Sequence, residues 1–281
     1  MICFPIAKVN LGLNITRRRP DGYHDLETVF YPVWGLQDAL EVIPKEDGNT
    51  LLTEYGPMAT SCPMGKNLVH KAYMMLKERF GLPEVDIHLL KAIPSQAGLG
   101  GGSADASFML KGLDELFHLG LPKEELRSMA LHLGADCPIF IDPRPSYAEG
   151  VGEKLEPIDL DLSGYDLIIV KPDLAISTKE AFQGITPKIP KSNAKDIVLN
   201  VPIDKWQDSL HNDFEDSLFP KYPVLSDIKT RLLRNGALYA SMSGSGSSLY
   251  GIFSKDRTVN FEDFPKECFI GRYALSCQIM S

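Results

Sequence analysis

A chain of 281 residues, 44% apolar and 23% charged, has an ordinary globular composition and is long enough to bury a core as one large domain or two modest ones. Its formal net charge of −8 argues against a general nucleic-acid or anionic-membrane binder, which needs a basic surface; an anionic ligand would be held by local donors. The five cysteines, at 3, 62, 137, 268 and 277, are odd in number and form no CxxC pair, so they read as reduced thiols of a cytoplasmic protein, not as a disulfide frame or a zinc site.

The first residues lack a basic stretch and are broken by Pro5 and Lys8, unlike a signal peptide. No apolar run approaches the roughly 18 residues that a membrane span needs. Residues 6–15 alternate loosely and read as a strand. Residues 16–22 carry Arg17, Arg18 and Arg19 into Pro-Asp-Gly, a turn signal, with Tyr23 and His24 just beyond it. An isolated arginine triplet in an acidic chain reads as a solvated loop. Residues 26–42 read as one or two strands, making the start a hairpin or meander. Asn67 opens a helix with Leu68, Val69, Ala72, Tyr73, Leu76 and Phe80 on one face, closed by Gly81 and Pro83. Residues 85–90 then form a strand.

That strand leads into Pro94-Ser95-Gln96-Ala97-Gly98-Leu99-Gly100-Gly101-Gly102-Ser103-Ala104. An apolar helical pattern follows at once: Ala106, Met109, Leu110, Leu113, Leu116 and Phe117. Ser103 reads as the N-cap of that helix. A glycine loop running into a helix start aims backbone N–H groups and the positive end of the helix dipole at one point, which suits phosphate. On the glycines alone, a tight strand-to-helix turn fits equally well. Two familiar phosphate signatures fail: GxxxxGK[ST] lacks its Lys, and the spacing is not GxGxxG. A further helix, from about 123 to 133, ends at Gly134. Asp136 follows at a helix-to-strand junction, where local sequence reads it as a capping or turn residue. The Pro-, Gly- and acid-rich stretch 143–165 marks a domain boundary. Residues 166–171 are an apolar strand, 177–182 begin a helix, and 184–205 are loop-like. Val224, Leu225, Ile228, Leu232 and Leu233 line another helix, stopped by Gly236. Residues 241–248 are a second glycine and serine loop between two strands. Strands and helices mix throughout, so the class is α+β. Among the remaining histidines, 70, 88, 118, 132 and 211, none shows a metal-ligand spacing.

Three separated stretches carry a resemblance: Ala7-Lys8-Val9-Asn10-Leu11, the loop Gly98 to Ala106, and Met242 to Ser248. In this order they resemble the family of galactokinase, homoserine kinase, mevalonate kinase and phosphomevalonate kinase, the GHMP kinases. Arg19-Pro-Asp-Gly-Tyr-His24, Leu133-Gly-Ala-Asp-Cys-Pro138 and Glu149-Gly-Val-Gly-Glu153 resemble the branch that phosphorylates 4-diphosphocytidyl-2-C-methyl-D-erythritol. The likeness spans residues 6 to 253 and is weakest at 184–210. It implies a two-domain GHMP kinase fold: an N-terminal mixed α/β domain, 1–155, with the phosphate loop, and a C-terminal α+β domain, 156–281. It also implies a reaction, transfer of phosphate from ATP to the 2-hydroxyl of that cytidyl compound in the non-mevalonate route to isoprenoid precursors. Phosphoryl transfer asks the protein mainly for positioning and charge stabilisation.

By this resemblance Asp136 is the catalytic base, or at least orients the hydroxyl, and Lys8 is the catalytic cation that keeps Asp136 ionised and stabilises the transferring phosphoryl group. Residues 94–104 hold ATP, with Asn67, Leu68 and Lys91 lining the adenine pocket. Asn10 stands near the substrate. Tyr23 and Phe182 sandwich the cytosine while His24 bonds its edge, and Gly244 and Gly246 support the substrate side. Phe182, matched through Thr178-Lys-Glu-Ala-Phe182, also reads as a plain core residue. Mg²⁺ is expected on the ATP phosphates, with no dedicated protein ligand. Ala104 departs from the Ser common at that position, and Asp105 reads as a dipole-complementing residue of the first helical turn. The implied protein is cytoplasmic, a monomer or weak homodimer, with no nucleic-acid or membrane partner. A sister kinase for another alcohol and a nucleotide-binding module without catalysis are the rivals. Tyr23 and His24 argue against the first; Lys8 and Asp136 argue against the second.

Overall fold

A computed structural model describes residues 1–60 and 62–276. Two compact units interleave along the chain. One is Met1–Ala7, Leu36–Ser95 and Gly100–Pro143; the other is Lys8–Gly35, Gln96–Leu99 and Arg144 onward. In chain order come β1 (Ile2–Cys3), β2 (Ile6–Arg18), β3 (His24–Gln37), β4 (Ala39–Pro44), β5 (Leu51–Tyr55), α1 (Leu68–Phe80), β6 (Val85–Leu90), α2 (Gly101–Leu116) and α3 (Lys123–Leu133). There follow β7 (Ser146–Gly150), β8 (Lys154–Pro157), β9 (Tyr165–Lys171), α4 (Thr178–Gln183), α5 (Ala194–Asn200), α6 (Asp213–Leu218), α7 (Pro223–Arg234), β10 (Tyr239–Met242), β11 (Leu249–Ser254) and β12 (Phe269–Ala274). No described helix is long and apolar enough to cross a membrane.

In the first unit a sheet of order β1-β4-β6-β5 carries one apolar face. Strand β6 alternates strictly: Val85, Ile87 and Leu89 are buried and the residues between them are not. That face meets Val69, Ala72, Tyr73 and Leu76 of α1 and Ala106, Met109, Leu110 and Leu113 of α2. Each fully buried Val, Leu, Ile or Met among them contributes about 1.5–3 kcal/mol. Asn67 caps α1, its Oδ1 accepting from the Val69 N–H at 2.9 Å, and Gly81 ends the helix at φ +67. Phe80, expected on the buried face, is exposed instead. It is the last residue of the helix, and the Arg79 guanidinium covers its ring from 4.8 Å.

The second unit holds two sheets, β2-β3-β7-β8 and β10-β11-β9-β12. The start is thus a hairpin of long strands, and 26–42 divides into β3 and β4. Strand β9 lies between β11 and β12, which is why Leu167 to Val170 are all buried. Leu225, Ile228 and Leu232 of α7 pack on Ala240, Met242, Leu249 and Phe253, while Leu233 is half-buried and Val224 is exposed. The segment 184–205, expected to be loop, contains α5 and the start of a 3₁₀ turn at Ile203–Asp208. Asn193 caps α5, whose seven residues are too few for a periodic signal; Ala194, Ile197 and Val198 supply the burial that holds it.

The described cysteines, 3, 62, 137 and 268, are free, and Cys277 lies outside the described residues. Burial pushes the Cys137 thiol up to about 11 and the Cys3 thiol up to about 12, so both are inert packing residues.

Candidate active site

In the first unit α2 begins three residues earlier than Ser103 suggested. Gly100 takes the N-cap position at φ +75, and the Ala104 N–H bonds its carbonyl at 2.8 Å. A left-handed N-cap is open to glycine, so Gly101, Gly102 and Ser103 become the first helical turn. No side chain caps this 16-residue helix, and no acidic residue stands in its first turn. Its leading N–H groups are therefore left for another acceptor. Pro94, Ala97, Leu99 and Ala104 have buried side chains, which leaves their backbone for contact; Ser95, Gln96 and Gly102 are exposed. A methyl on Gly101 would stand 2.9 Å from Ile93 Cγ2 and 3.5 Å from Lys91 Nζ, so the helix start needs glycine there to pack.

Asp136 is half-buried in the turn after α3. The Cys137 N–H bonds the Gly134 carbonyl at 3.1 Å, and Ser107 Oγ donates to the Cys137 carbonyl at 2.7 Å. A side chain on Gly134 would meet Cys137 Sγ at 3.3 Å and Ser103 Oγ at 3.9 Å. This turn is thereby packed against the first turns of α2. It continues into a 3₁₀ turn, Pro138–Phe140, and not into a strand as expected; Pro138 begins that turn, where its missing N–H costs nothing.

The three residues expected at the adenine are engaged within the first unit. Besides capping α1, Asn67 donates through Nδ2 to Glu54 Oε1 at 2.7 Å, and Leu68 packs partly into the core. The Lys91 ammonium is buried and pairs with Asp38 and with Asp105, the latter at 2.6 Å. Asp38 also accepts from the Ala92 and Ile93 N–H groups at 2.6 and 2.8 Å. Asp105 is thus an ion-pair residue of the helix interior, not a dipole partner of the first turn.

Two carboxylates share one ammonium here, and Asp105 is fully buried. Burial, reinforced by the Asp38 charge and opposed by Lys91, holds the Asp105 carboxyl well above the usual carboxylate range. A raised folded pKa gives stability that is present below the unfolded value and is lost as pH rises toward the folded one. Within that window this group costs about 1 kcal/mol per pH unit. Asp105→Asn is expected to flatten the fall in stability between pH 5 and pH 8, as read by denaturant unfolding at both pH values. Equal slopes in the two proteins would contradict it.

In the second unit Lys8 is 2% exposed, on β2. Its Nζ donates to Asn10 Oδ1 at 2.6 Å and to the Gly98 carbonyl at 3.0 Å, and lies 5.1 Å from the Phe30 ring centre. The same Gly98 carbonyl accepts from Ser243 Oγ at 2.8 Å. Gln96 and Gly98 have φ +48 and +72. Gly244 and Gly246 are buried with φ +54 and +82, and a methyl on Gly244 would stand 3.3 Å from Gly98 Cα. The two glycine loops therefore pack backbone to backbone.

His24, Phe182 and Phe214 form one aromatic group. His24 stacks on Phe182, with ring centres 4.7 Å apart and planes at 17°, and Phe214 meets Phe182 edge-on at 4.9 Å. Tyr23 is 65% exposed, its N–H donating to Asp21 Oδ1 at 3.0 Å. Burial, then the Arg18 charge, pulls the His24 imidazole below its usual pKa, so it is neutral near pH 7. Arg17 pairs with Asp25 and Arg19 with Asp21; the triplet is solvated but not all loop, since Arg17 and Arg18 end β2 and only Arg19 enters the turn.

The family model of the GHMP kinases N-terminal domain matches residues 67–142, and that of the GHMP kinases C-terminal domain matches residues 202–269. The chain belongs to the GHMP kinase family. Among relatives of this GHMP kinase, 4-diphosphocytidyl-2-C-methyl-D-erythritol kinase of Bacteroides thetaiotaomicron is 52% identical over 276 residues, 97% of this chain and 100% of that one. The protein of that name from Bacteroides fragilis is 51% identical over 265 residues, 94% of this chain and 96% of the other. The GHMP kinase also resembles a crystal structure of 4-(cytidine 5'-diphospho)-2C-methyl-D-erythritol kinase, with TM-score 0.72, 33% identity and 90% of each chain covered. Homoserine kinase from Cytophaga hutchinsonii, at 16% identity and TM-score 0.72, shares the fold, with 97% of this chain and 95% of that one covered.

Several residues that organise this GHMP kinase are silent in sequence. Asp38 and Thr28 sit in ordinary strand-like runs, and only the structure brings them to Lys91 and Asn10. His211 shows no metal-ligand spacing in the sequence. The structure gathers it with Asp213 and Asp216, a spacing hidden by the short helix α6. Lys188 Nζ lies 3.3 Å from Asp213 and 3.4 Å from Asp216, so an ammonium already fills the role of a cation there.

Proposed function

We propose that this GHMP kinase transfers the γ-phosphoryl group of ATP to the 2-hydroxyl of 4-diphosphocytidyl-2-C-methyl-D-erythritol. The observation that carries the reading is 52% identity, over 97% of the chain, to a kinase of that name. The O–P bond to the β-phosphate breaks, the O–P bond to the substrate hydroxyl forms, and the hydroxyl proton passes to Asp136. The uncapped N-terminus of α2 and the loop before it hold the ATP phosphates through backbone N–H groups. Lys8 offers a desolvated ammonium to the charge on the transferring phosphoryl group, where burial raises its worth. The donors of the loop are N–H groups, which suit phosphate oxygens and not a cation, so Mg²⁺ would be held by the nucleotide and would supply charge neutralisation. Neutral His24 can both donate to and accept from a base edge, with Phe182 and the exposed Tyr23 as ring partners.

The proposal keeps a division of the chain at residue 155, the N-terminal part carrying the phosphate loop. We place the protein in the cytoplasm as a monomer or weak homodimer, without nucleic-acid or membrane partners; its net charge of −8 supports the last point. The test offers ATP with the cytidyl compound, mevalonate, homoserine and galactose in parallel. Only the cytidyl compound is expected to be phosphorylated. Turnover of mevalonate or homoserine, with none of the cytidyl compound, would overturn the assignment.

A further inference from the structure

The side-chain amide of Asn10 meets the Lys8 ammonium through Oδ1. An amide has two ends of nearly the same shape and opposite hydrogen-bonding sense, so something must choose between them. The backbone of Asn10 is pinned already. Its N–H donates to Ser243 Oγ at 3.3 Å, and its carbonyl accepts from the Tyr250 hydroxyl at 2.6 Å. Only the side chain is free to flip.

Thr28 makes the choice. This residue is 0% exposed, and its hydroxyl has one hydrogen, which is directed to the Gly12 carbonyl. Gly12 has φ +66, a left-handed residue inside β2 that glycine tolerates. With its hydrogen spent, the Thr28 oxygen can only accept from Asn10. Asn10 Nδ2 lies 3.1 Å away and donates to it. Oδ1 is then turned to Lys8. The flipped amide would set oxygen against a hydroxyl lone pair and an NH₂ group against an ammonium, both out of water.

We propose that Thr28 is a positioning residue of the phosphoryl-transfer site. Taking its polarity from the Gly12 carbonyl, it orients the Asn10 amide, and the amide in turn fixes the Lys8 ammonium beside the Gly98 carbonyl. The proposal rests on the reading of Lys8 as the catalytic cation. The role ascribed to Thr28 is to set the sense of this chain of bonds; substrate is bound elsewhere.

The test compares Thr28→Val, which keeps the shape and loses the hydroxyl, with Thr28→Ser, which keeps the hydroxyl. Rates are scaled to the active fraction given by ATP-binding stoichiometry. Thr28→Val is expected to lower kcat by about 10- to 100-fold, with KM for ATP and for the alcohol within about threefold, and Thr28→Ser to restore kcat to within about threefold. In an Asn10→Ala background, Thr28→Val should have no further effect beyond about twofold, because both substitutions break the same chain. Thr28→Ala serves the same cycle should the valine protein not fold. An unchanged kcat in Thr28→Val, equal losses in Val and Ser, or multiplicative losses in the double variant would each overturn the role. If the parent protein phosphorylates a different alcohol of the panel, that alcohol is used; the substrate assignment then fails while the Thr28 test stands.

Discussion

Gly98→Ala is expected to cost at least 100-fold in kcat and on the order of 3 kcal/mol in stability. Gly98 sits at φ +72, and an added Cβ would come within 2.8 Å of the Ser243 carbonyl carbon, closer still to its oxygen, and 3.3 Å from the Gly246 nitrogen. Those neighbours are backbone atoms of the second glycine loop, which cannot rotate away as a side chain would. The loop itself has to move. Its Gly98 carbonyl is the acceptor for both Lys8 Nζ and Ser243 Oγ, so that movement also displaces the ammonium. Gly102→Ala is the control. Gly102 is helical, and a methyl there meets nothing within 4 Å, so stability should hold or rise by about 0.5–1 kcal/mol. Any loss in Gly102→Ala should appear in KM for ATP. Steady-state kinetics and denaturant unfolding on the pair decide the matter. Wild-type turnover in Gly98→Ala would show that the contact between the two glycine loops does not govern catalysis.

Asp136→Asn is expected to lower kcat by about 10²- to 10⁴-fold while ATP affinity stays within about twofold. The amide has nearly the shape of the carboxylate and can still orient a hydroxyl, but it cannot take the proton. The turn that carries residue 136 is anchored through Gly134, Cys137 and Ser107, so its path on α2 should survive the change. Isothermal titration with ATP and single-turnover phosphorylation read the two quantities separately. An unchanged single-turnover rate would remove Asp136 from the reaction; a matching loss of ATP binding would make it a structural residue of the turn.

Much of the architecture is local in origin, and local patterns carry it. The alternation of β6, the apolar stripe of α2 and the Asn67 cap with its Gly81 stop all read directly, because each depends on residues within one element. The start of α2 did not. A serine at 103 is a good N-cap by type, yet Gly100 in a left-handed conformation starts the helix first, and type alone does not reveal φ. Helix α5 is not legible in the sequence because a seven-residue helix is held by burial and one cap. The aromatic residues were legible as a group, but the stack of His24 on Phe182 depends on where α4 packs.

By itself the sequence determined the class of the protein, its glycine-rich loop before a helix and the positions of its chemically apt residues. Helical and strand periods, turn residues and motif order are properties of neighbouring positions, and so a reader of the chain has them in hand. Only the tertiary structure decided how the ionisable and polar groups are paired. Lys91 lies 53 residues from Asp38 and is turned inward onto it, and Lys8 lies 90 residues from the Gly98 carbonyl that accepts its hydrogen bond. The sense of each hydrogen bond around Lys8 follows from a Gly12 carbonyl, a threonine hydroxyl and an asparagine amide that meet only when β2 and β3 pair. Burial then makes those pairings obligatory, since a polar group removed from water must find its partner within the fold.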